Sequence, residues 1–328
     1  MLKIINLSTY SYDMDRYKNN CENVNKFLEN HNIDAIELFA PLGYSEELIP
    51  KNRIKGIHLK HFPIWLDFWN GNKEGLLEDF DSVEGIINNY GGSDKKAIIN
   101  QYKEEIKLAE SLKVEYVVFH VSNTKLKHCY SYNFTYTDKD VIDATIELVN
   151  EIFKDLDTGV TILFENLWWP GLRMVDKKLV KYFIESIEYE NKGFMLDTGH
   201  LLNTNLNIDT EEEGIDYLLD TINNLGDLKN YIKGIHLSKS ISSKYVKNQI
   251  SKYKNLEINY SEMSKSIIFH ILKIDEHKPF TNKKIKMLID TISPKYLVYE
   301  FITSSLDELS EFINIQDETL GLYQKVMM

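Results

Sequence analysis

The chain has few of the residues that mark a secreted, fibrous or low-complexity protein. Its 328 residues include only 2 cysteines, 6 prolines and 15 glycines. Cys21 and Cys129 form no C-x-x-C pair and are too few and too far apart for a disulfide framework, which favours a reducing compartment. So little proline and glycine excludes a collagen-like or linker-rich chain.

Long apolar runs are also missing. No apolar stretch approaches the roughly 18 residues that a membrane helix needs, and the start of the chain turns polar after Leu7, too early for a signal-peptide core. We therefore expect a cytoplasmic protein with no membrane partner. The net charge of −12 repels a phosphate backbone, so the sequence disfavours an extended nucleic-acid partner.

Short apolar runs rich in β-formers recur along the chain, each followed by a polar stretch with helical character. Because these runs lack strict alternation of apolar and polar residues, they are typical of strands that are covered on both faces, as in a parallel sheet. The runs cover residues 3–8, 34–40, 54–59, 114–121, 160–166, 192–199, 232–238 and 295–301.

Helix-like segments lie between these runs. The clearest covers residues 98–113, where apolar residues recur at spacings of three and four. Eight strands that alternate with helices predict an α/β fold, a single (β/α)8 TIM barrel over residues 1–328, with insertions after strands 3 and 7 at 65–97 and 239–272. An open doubly wound sheet is the alternative, but no G-x-G-x-x-G follows the first strand.

Imidazole and carboxyl side chains stand where six of the predicted strands end, and in a barrel this rim builds the active site. These residues are His58, His120, Glu165, Asp197 with His200, His236 and Glu300, and the pair Asp275 and His277 lies between strands 7 and 8. Burying so many polar groups is costly unless something compensates them. A divalent cation would do so, since these are the ligands of zinc, manganese or iron sites.

On these residues the chain resembles the xylose isomerase-like TIM-barrel superfamily, also described as AP endonuclease family 2. The most specific motif is L-D-T-G-H at residues 196–200, which resembles the D-T-x-H that endonuclease IV and the ketohexose 3-epimerases carry after strand 6. The F-E-N of strand 5 and the I-H-L of strand 7 come next in specificity.

The isomerase and epimerase branch of this superfamily implies one metal ion and an enzyme that moves a proton on a small sugar or phosphorylated substrate. The metal ligands implied by this resemblance are Glu165, Asp197, His236 and Glu300. Glu165 and Glu300 would also be the catalytic residues, because the two glutamates of this branch transfer the substrate proton. This is the first expectation, although the H-x-G-E-x-x-R that epimerases carry after strand 7 is absent and only Lys239 stands near that place.

The endonuclease IV branch implies a phosphoesterase with three zinc ions, acting on abasic-site DNA or a small phosphodiester. By this resemblance the first ion has His58, His120 and Glu165; the second shares Glu165 with Asp197, His236 and Glu300; the third has His200, Asp275 and His277. Here 38 residues lie between His236 and Asp275, whereas in the endonuclease IV branch the D-x-H pair follows the strand-7 histidine more closely. The cofactor is thus expected to be one to three ions, and a non-catalytic metal-binding barrel is the third alternative.

Several further residues near the predicted rim are candidates for substrate binding. Trp168 and Trp169 follow Glu165 on a loop that Pro170 and Gly171 end, and plain packing is the alternative role. The remaining candidates are Trp65, which could equally belong to an apolar lid or a subunit contact, Glu37, which could form a salt bridge, and Lys239. His61 is the alternative to His58 as a ligand. The sequence is compatible with a homo-oligomer.

Overall fold

The computed structural model describes residues 1–80, 82–253 and 260–322. Within these ranges eight parallel strands pair in sequence order, and β8 pairs with β1 to close the barrel. This confirms the predicted (β/α)8 fold. The strands are β1 (Leu2–Ser8), β2 (Ala35–Phe39), β3 (Ile54–His58), β4 (Tyr116–His120), β5 (Thr161–Glu165), β6 (Lys192–Asp197), β7 (Ile232–Leu237) and β8 (Tyr296–Tyr299).

Helices cover the outside of the barrel and form the two predicted insertions. The helices are α1 (Ser11–Arg16), α2 (Cys21–Asn30), α3 (Leu66–Trp69), α4 (Lys73–Leu77), α5 (Val83–Tyr90), α6 (Lys96–Leu112), α7 (Leu126–Ser131), α8 (Asp138–Phe153), α9 (Lys177–Ser186), α10 (Thr198–Asn203), α11 (Glu211–Leu225), α12 (Ser243–Tyr253), α13 (Tyr260–Ile274), α14 (Lys286–Ile292) and α15 (Leu306–Leu320). The insertion after β3 contains α3–α5, and the insertion after β7 contains α12 and most of α13. Among the described helices, none has the length and apolar character that a membrane span requires.

The interior of the barrel is packed with side chains below the polar rim. Tyr116 is completely buried there, and its ring lies 4.3 Å from that of Tyr296. A Cβ atom on Gly56 would overlap the Tyr116 ring, so the glycine makes room for it. The Tyr116 hydroxyl donates a 2.8 Å hydrogen bond to Glu37 Oε2. The apolar interior therefore supports the first polar layer of the rim.

A buried lysine holds the insertion after β3 against the loop after β4. Lys125 Nζ lies 2.9 Å from Asp67 Oδ2 and 3.0 Å from Glu78 Oε2, and it donates to the carbonyl of Gly75 at 3.1 Å. The Lys125 and Asp67 side chains are only 7% and 2% exposed. Burial raises the pKa of neighbouring Asp79 to about 6. The lysine therefore compensates the Asp67 and Asp79 carboxyl groups, which have little access to water.

Lys125→Met is expected to lower the free energy of unfolding by about 3 kcal/mol, because it leaves buried carboxylates without their cation. Urea denaturation should show a lower midpoint at an unchanged slope. Lys139→Met is the matched control: Lys139 pairs with Asp143 at 2.7 Å on an exposed surface, and its loss should leave the urea midpoint nearly unchanged. Equal shifts in the two variants would contradict a structural role for the Lys125 network.

Candidate metal centre

The strand register brings the predicted rim residues side by side. Parallel pairing places His120 beside Glu165 across β4 and β5, and Asp197 beside His236 across β6 and β7. Glu300 follows the last residue of β8 directly. Because all these strands end at the same rim, residues that are far apart in sequence share one small volume.

Glu165 lies at the centre of this volume and is completely buried. Its Oε2 atom lies 3.2 Å from His58 Nε2 and 3.1 Å from His120 Nε2. Its Oε1 atom lies 3.2 Å from His200 Nδ1 and 3.3 Å from His236 Nδ1. The two carboxylate oxygens therefore face different groups of imidazoles, which is the arrangement a bridging ligand needs.

Four residues form a second group of ligand atoms around the other Glu165 oxygen. Ligand atoms of Glu165, Asp197, His236 and Glu300 all lie within 4.8 Å of one another. His236 Nδ1 is 3.0 Å from Glu300 Oε2. Asp197 Oδ1 accepts a 2.6 Å hydrogen bond from the backbone of His200, while its buried Oδ2 receives none from the residues that the structure describes. This buried oxygen is available to a cation.

A third group contains His200, Asp275 and His277. Asp275 Oδ2 lies 3.0 Å from His200 Nε2 and 2.6 Å from His277 Nε2. A two-residue antiparallel bridge between Lys239 and Lys278 closes the base of the insertion after β7, with backbone hydrogen bonds of 2.7 and 3.1 Å. The bridge brings Asp275 back beside the end of β7, although 38 residues separate it from His236.

Backbone carbonyls fix the orientation of three of the imidazoles. The Nδ1 atoms of His58, His200 and His277 lie 3.1, 2.8 and 3.0 Å from the carbonyl oxygens of Leu59, Asn166 and Glu300. Because a carbonyl oxygen only accepts hydrogen bonds, each Nδ1 carries the proton. Each Nε2 is then the ring atom that faces a carboxylate of the cluster, and on losing its proton it could offer its lone pair to a cation, as metal-ligating histidines do.

The charges of the cluster fit divalent cations. Across the described parts of the chain, imidazoles are the only cationic groups within 4 Å of Glu165, Asp197, Asp275 and Glu300. Burial raises the pKa of Asp197 to about 8. Although burial opposes protonation of His277, the Asp275 carboxylate raises its pKa to about 10. Protons thus compensate the carboxylates here, and a bound cation would replace them.

Two residues that support the ligands lie just behind them. Glu37, predicted as a substrate contact, has its Oε1 atom 2.9 Å from His236 Nε2, so it orients that imidazole from the side opposite the cluster. The Asn166 amide exchanges hydrogen bonds of 2.9 and 3.0 Å with the backbone of Asp197. The sequence reasoning did not single out Asn166, although it belongs to the F-E-N motif.

Of the other residues predicted to bind substrate, the structure places some beside the cluster and others away from it. Trp168 and Trp169 line a cavity of about 500 Å³ that also reaches His200. Trp65 is placed elsewhere: its indole N–H donates to the Ser122 carbonyl at 2.8 Å, and its ring packs in the layer between barrel and helices. Lys239 is also directed away, because its ammonium group pairs with Glu211 at 2.7 Å.

His61 lies at the mouth of the cluster, while His58 directs its Nε2 atom at Glu165. The His61 ring centroid is 4.5 Å from that of His120. Burial and the neighbouring imidazoles of His120 and His58 lower the pKa of His61, which keeps the ring neutral. His58 is therefore the residue of the two that contacts Glu165, and His61 lies beside the His120 ring.

Comparison with known proteins supports the fold. A family model described as xylose isomerase-like TIM barrel matches residues 15–282. No curated protein matches the sequence. Among solved structures, the IolI protein with a binding zinc atom has a TM-score of 0.52 at 12% identity, covering 99% of this chain and 100% of its own. D-psicose 3-epimerase in the presence of D-fructose has a TM-score of 0.51 at 11% identity, covering 98% of each chain. At these identities the likeness shows the fold alone.

Proposed function

The chain belongs to the xylose isomerase-like TIM-barrel family, and from its rim geometry we propose that it is a hydrolase of phosphate esters that depends on three divalent metal ions. One observation carries this proposal: the two oxygens of Glu165 face separate groups of imidazoles, and a third group surrounds Asp275. Nine ligand residues exceed what a single ion can use.

In this proposal the first ion would be held by His58, His120 and Glu165. The second would be held by Glu165, Asp197, His236 and Glu300, and the third by His200, Asp275 and His277. When bound, such ions supply Lewis acidity and positive charge against the oxygens of a phosphate ester. The chain holds the ligands in place before substrate arrives. Carbonyl groups fix three imidazoles, and the Tyr116–Glu37 pair holds a fourth, His236.

His61 has a separate role at the substrate side of the cluster. Its ring is neutral and lines the cavity of about 500 Å³ that Trp168 and Trp169 also line. A neutral imidazole in this place can accept a proton from an attacking water or return one to a leaving oxygen. The net charge of −12 favours a small phosphorylated substrate over DNA, since a DNA-binding surface gains most of its affinity from basic residues.

The test is metal analysis together with two assays on the same zinc-loaded protein. We expect three zinc ions per chain and hydrolysis of bis(p-nitrophenyl) phosphate that EDTA abolishes and zinc restores. A sugar panel in deuterated water should take up no deuterium. Absence of EDTA-sensitive cleavage of both simple phosphodiesters and abasic-site DNA would overturn the proposal.

A second candidate is a one-metal sugar isomerase or epimerase. The quartet of Glu165, Asp197, His236 and Glu300 favours it, because these residues alone can complete one coordination sphere. In that enzyme Glu165 and Glu300 would also transfer the proton of the substrate. One ion per chain with deuterium uptake into a sugar would establish this candidate in place of the hydrolase.

A further inference from the structure

Two cavities of different character meet at the candidate metal centre. The first, here called the polar cavity, has a volume of about 270 Å³, and its wall contains the polar side chains of Ser8, Asp13 and Glu37 among apolar ones. The second, here the apolar cavity, has a volume of about 500 Å³. His61, His120 and Glu300 line both. The candidate metal centre therefore lies where the two cavities join.

The wall of the apolar cavity consists of large hydrocarbon and aromatic side chains. Six of them are Leu126, Leu167, Trp168, Trp169, Ile267 and Ile271, from α7, the loop after β5 and α13. The Trp168 ring lies 5.1 Å from the His200 imidazole, so the apolar wall begins directly at the third group of ligands. Asp275 and His277 line the same cavity.

Helix α13 is held against α7 by specific contacts. His270 Nε2 lies 2.9 Å from the Cys129 carbonyl, and its ring stacks on Tyr130 with centroids 4.0 Å apart. The Tyr130 hydroxyl donates to the Met263 carbonyl at 3.1 Å. The wall is therefore an organised part of the fold.

We propose that the substrate is an amphiphilic phosphate ester, whose alkyl or aromatic group occupies the apolar cavity. This inference rests on the proposed function and names its substrate class. The polar part of the substrate lies in the polar cavity, and the phosphate lies at the junction beside the ligands. A purely polyhydroxylated substrate would lose hydrogen bonds to water against a wall of leucine, isoleucine and tryptophan, whereas an apolar group gains by leaving water.

Two neighbouring residues of α13 offer a matched pair of variants. Ile268 and Phe269 are 66% and 74% exposed, so an aspartate at either position is compatible with folding. The Ile268 side chain lines the apolar cavity, and Phe269 is not among the described residues that do so. An aspartate at 268 places a charge beside the site of the apolar group, while an aspartate at 269 makes the same change outside the cavity.

The experiment is a calorimetric titration of the zinc-loaded full chain with methyl-, butyl- and hexylphosphonate, whose C–P bond resists hydrolysis. Each methylene buried in the cavity should tighten binding by about fourfold. Ile268→Asp should weaken hexylphosphonate binding by at least about tenfold and leave methylphosphonate binding unchanged. Phe269→Asp should change neither.

Affinity that does not depend on chain length, or equal effects of the two variants, would overturn this inference. The outcome is separable from that of the proposed function. Hydrolysis of phosphodiesters without any chain-length dependence would refute the apolar site and keep the hydrolase. Chain-length-dependent binding that Ile268→Asp alone weakens would support the apolar site even in a chain that hydrolyses no phosphodiester.

Discussion

Glu165→Gln is expected to reduce bound zinc from three ions to one and to lower phosphodiester hydrolysis at least about a thousandfold, about 4 kcal/mol of transition-state stabilisation. The carboxylate has one oxygen within 3.2 Å of His58 and His120 and the other within 3.3 Å of His200 and His236. A neutral amide offers one weak oxygen ligand and a nitrogen that donates hydrogen bonds, so it cannot bridge two cations. The group at Asp275 has a carboxylate of its own, and the Asn166 carbonyl also orients its His200 imidazole, so this group should keep its ion.

Glu37→Gln is the matched control for this variant. Glu37 has the same chemistry and is also buried, but it contacts His236 from behind and does not face the other ligands. We expect three ions to remain, with a loss of activity of about tenfold, as for other groups that orient a metal ligand. Plasma mass spectrometry and initial rates on both variants, with circular dichroism to verify folding, provide the measurement. Unchanged zinc content in Glu165→Gln would refute the bridging role.

The sequence was sufficient to predict the strands and the rim, because both depend on local patterns. A buried parallel strand needs a short apolar run, and the side chain after such a run lies at the barrel mouth. His58, His120 and Glu165 could therefore be placed on neighbouring strand ends without coordinates. Because neighbouring strands of the barrel run parallel, their ends lie side by side, and these three residues are therefore close together.

Features that depend on long-range backbone contacts could not be predicted in this way. The distance between His236 and Asp275 along the chain gave no sign that the Lys239–Lys278 bridge returns the chain to the same rim. The direction of the Lys239 side chain could not be predicted for the same reason. Its partner Glu211 begins a helix that follows β6, whereas Lys239 follows β7. The position of Trp65 depends on the loop after β4, whose Ser122 carbonyl accepts its indole hydrogen bond.

The third group of ligands is where the two candidate functions differ most. Asp275→Asn is expected to remove one of three zinc ions and to lower phosphodiester hydrolysis by about a hundredfold or more. The reason is that Asp275 Oδ2 is the one carboxylate oxygen between His200 Nε2 and His277 Nε2, at 3.0 and 2.6 Å. A one-metal isomerase built on Glu165, Asp197, His236 and Glu300 would keep its ion.

Glu276→Gln separates this effect from a general loss of charge. Glu276 is the next residue in the chain, and its carboxylate pairs with the exposed Lys278 ammonium group at 2.6 Å. This variant should therefore keep three ions and full activity. If Asp275→Asn also kept its full zinc content and its rate, the group at Asp275 would hold no ion. The chemistry would then have to come from the quartet around Glu165, because those four residues offer enough ligand atoms to hold one ion.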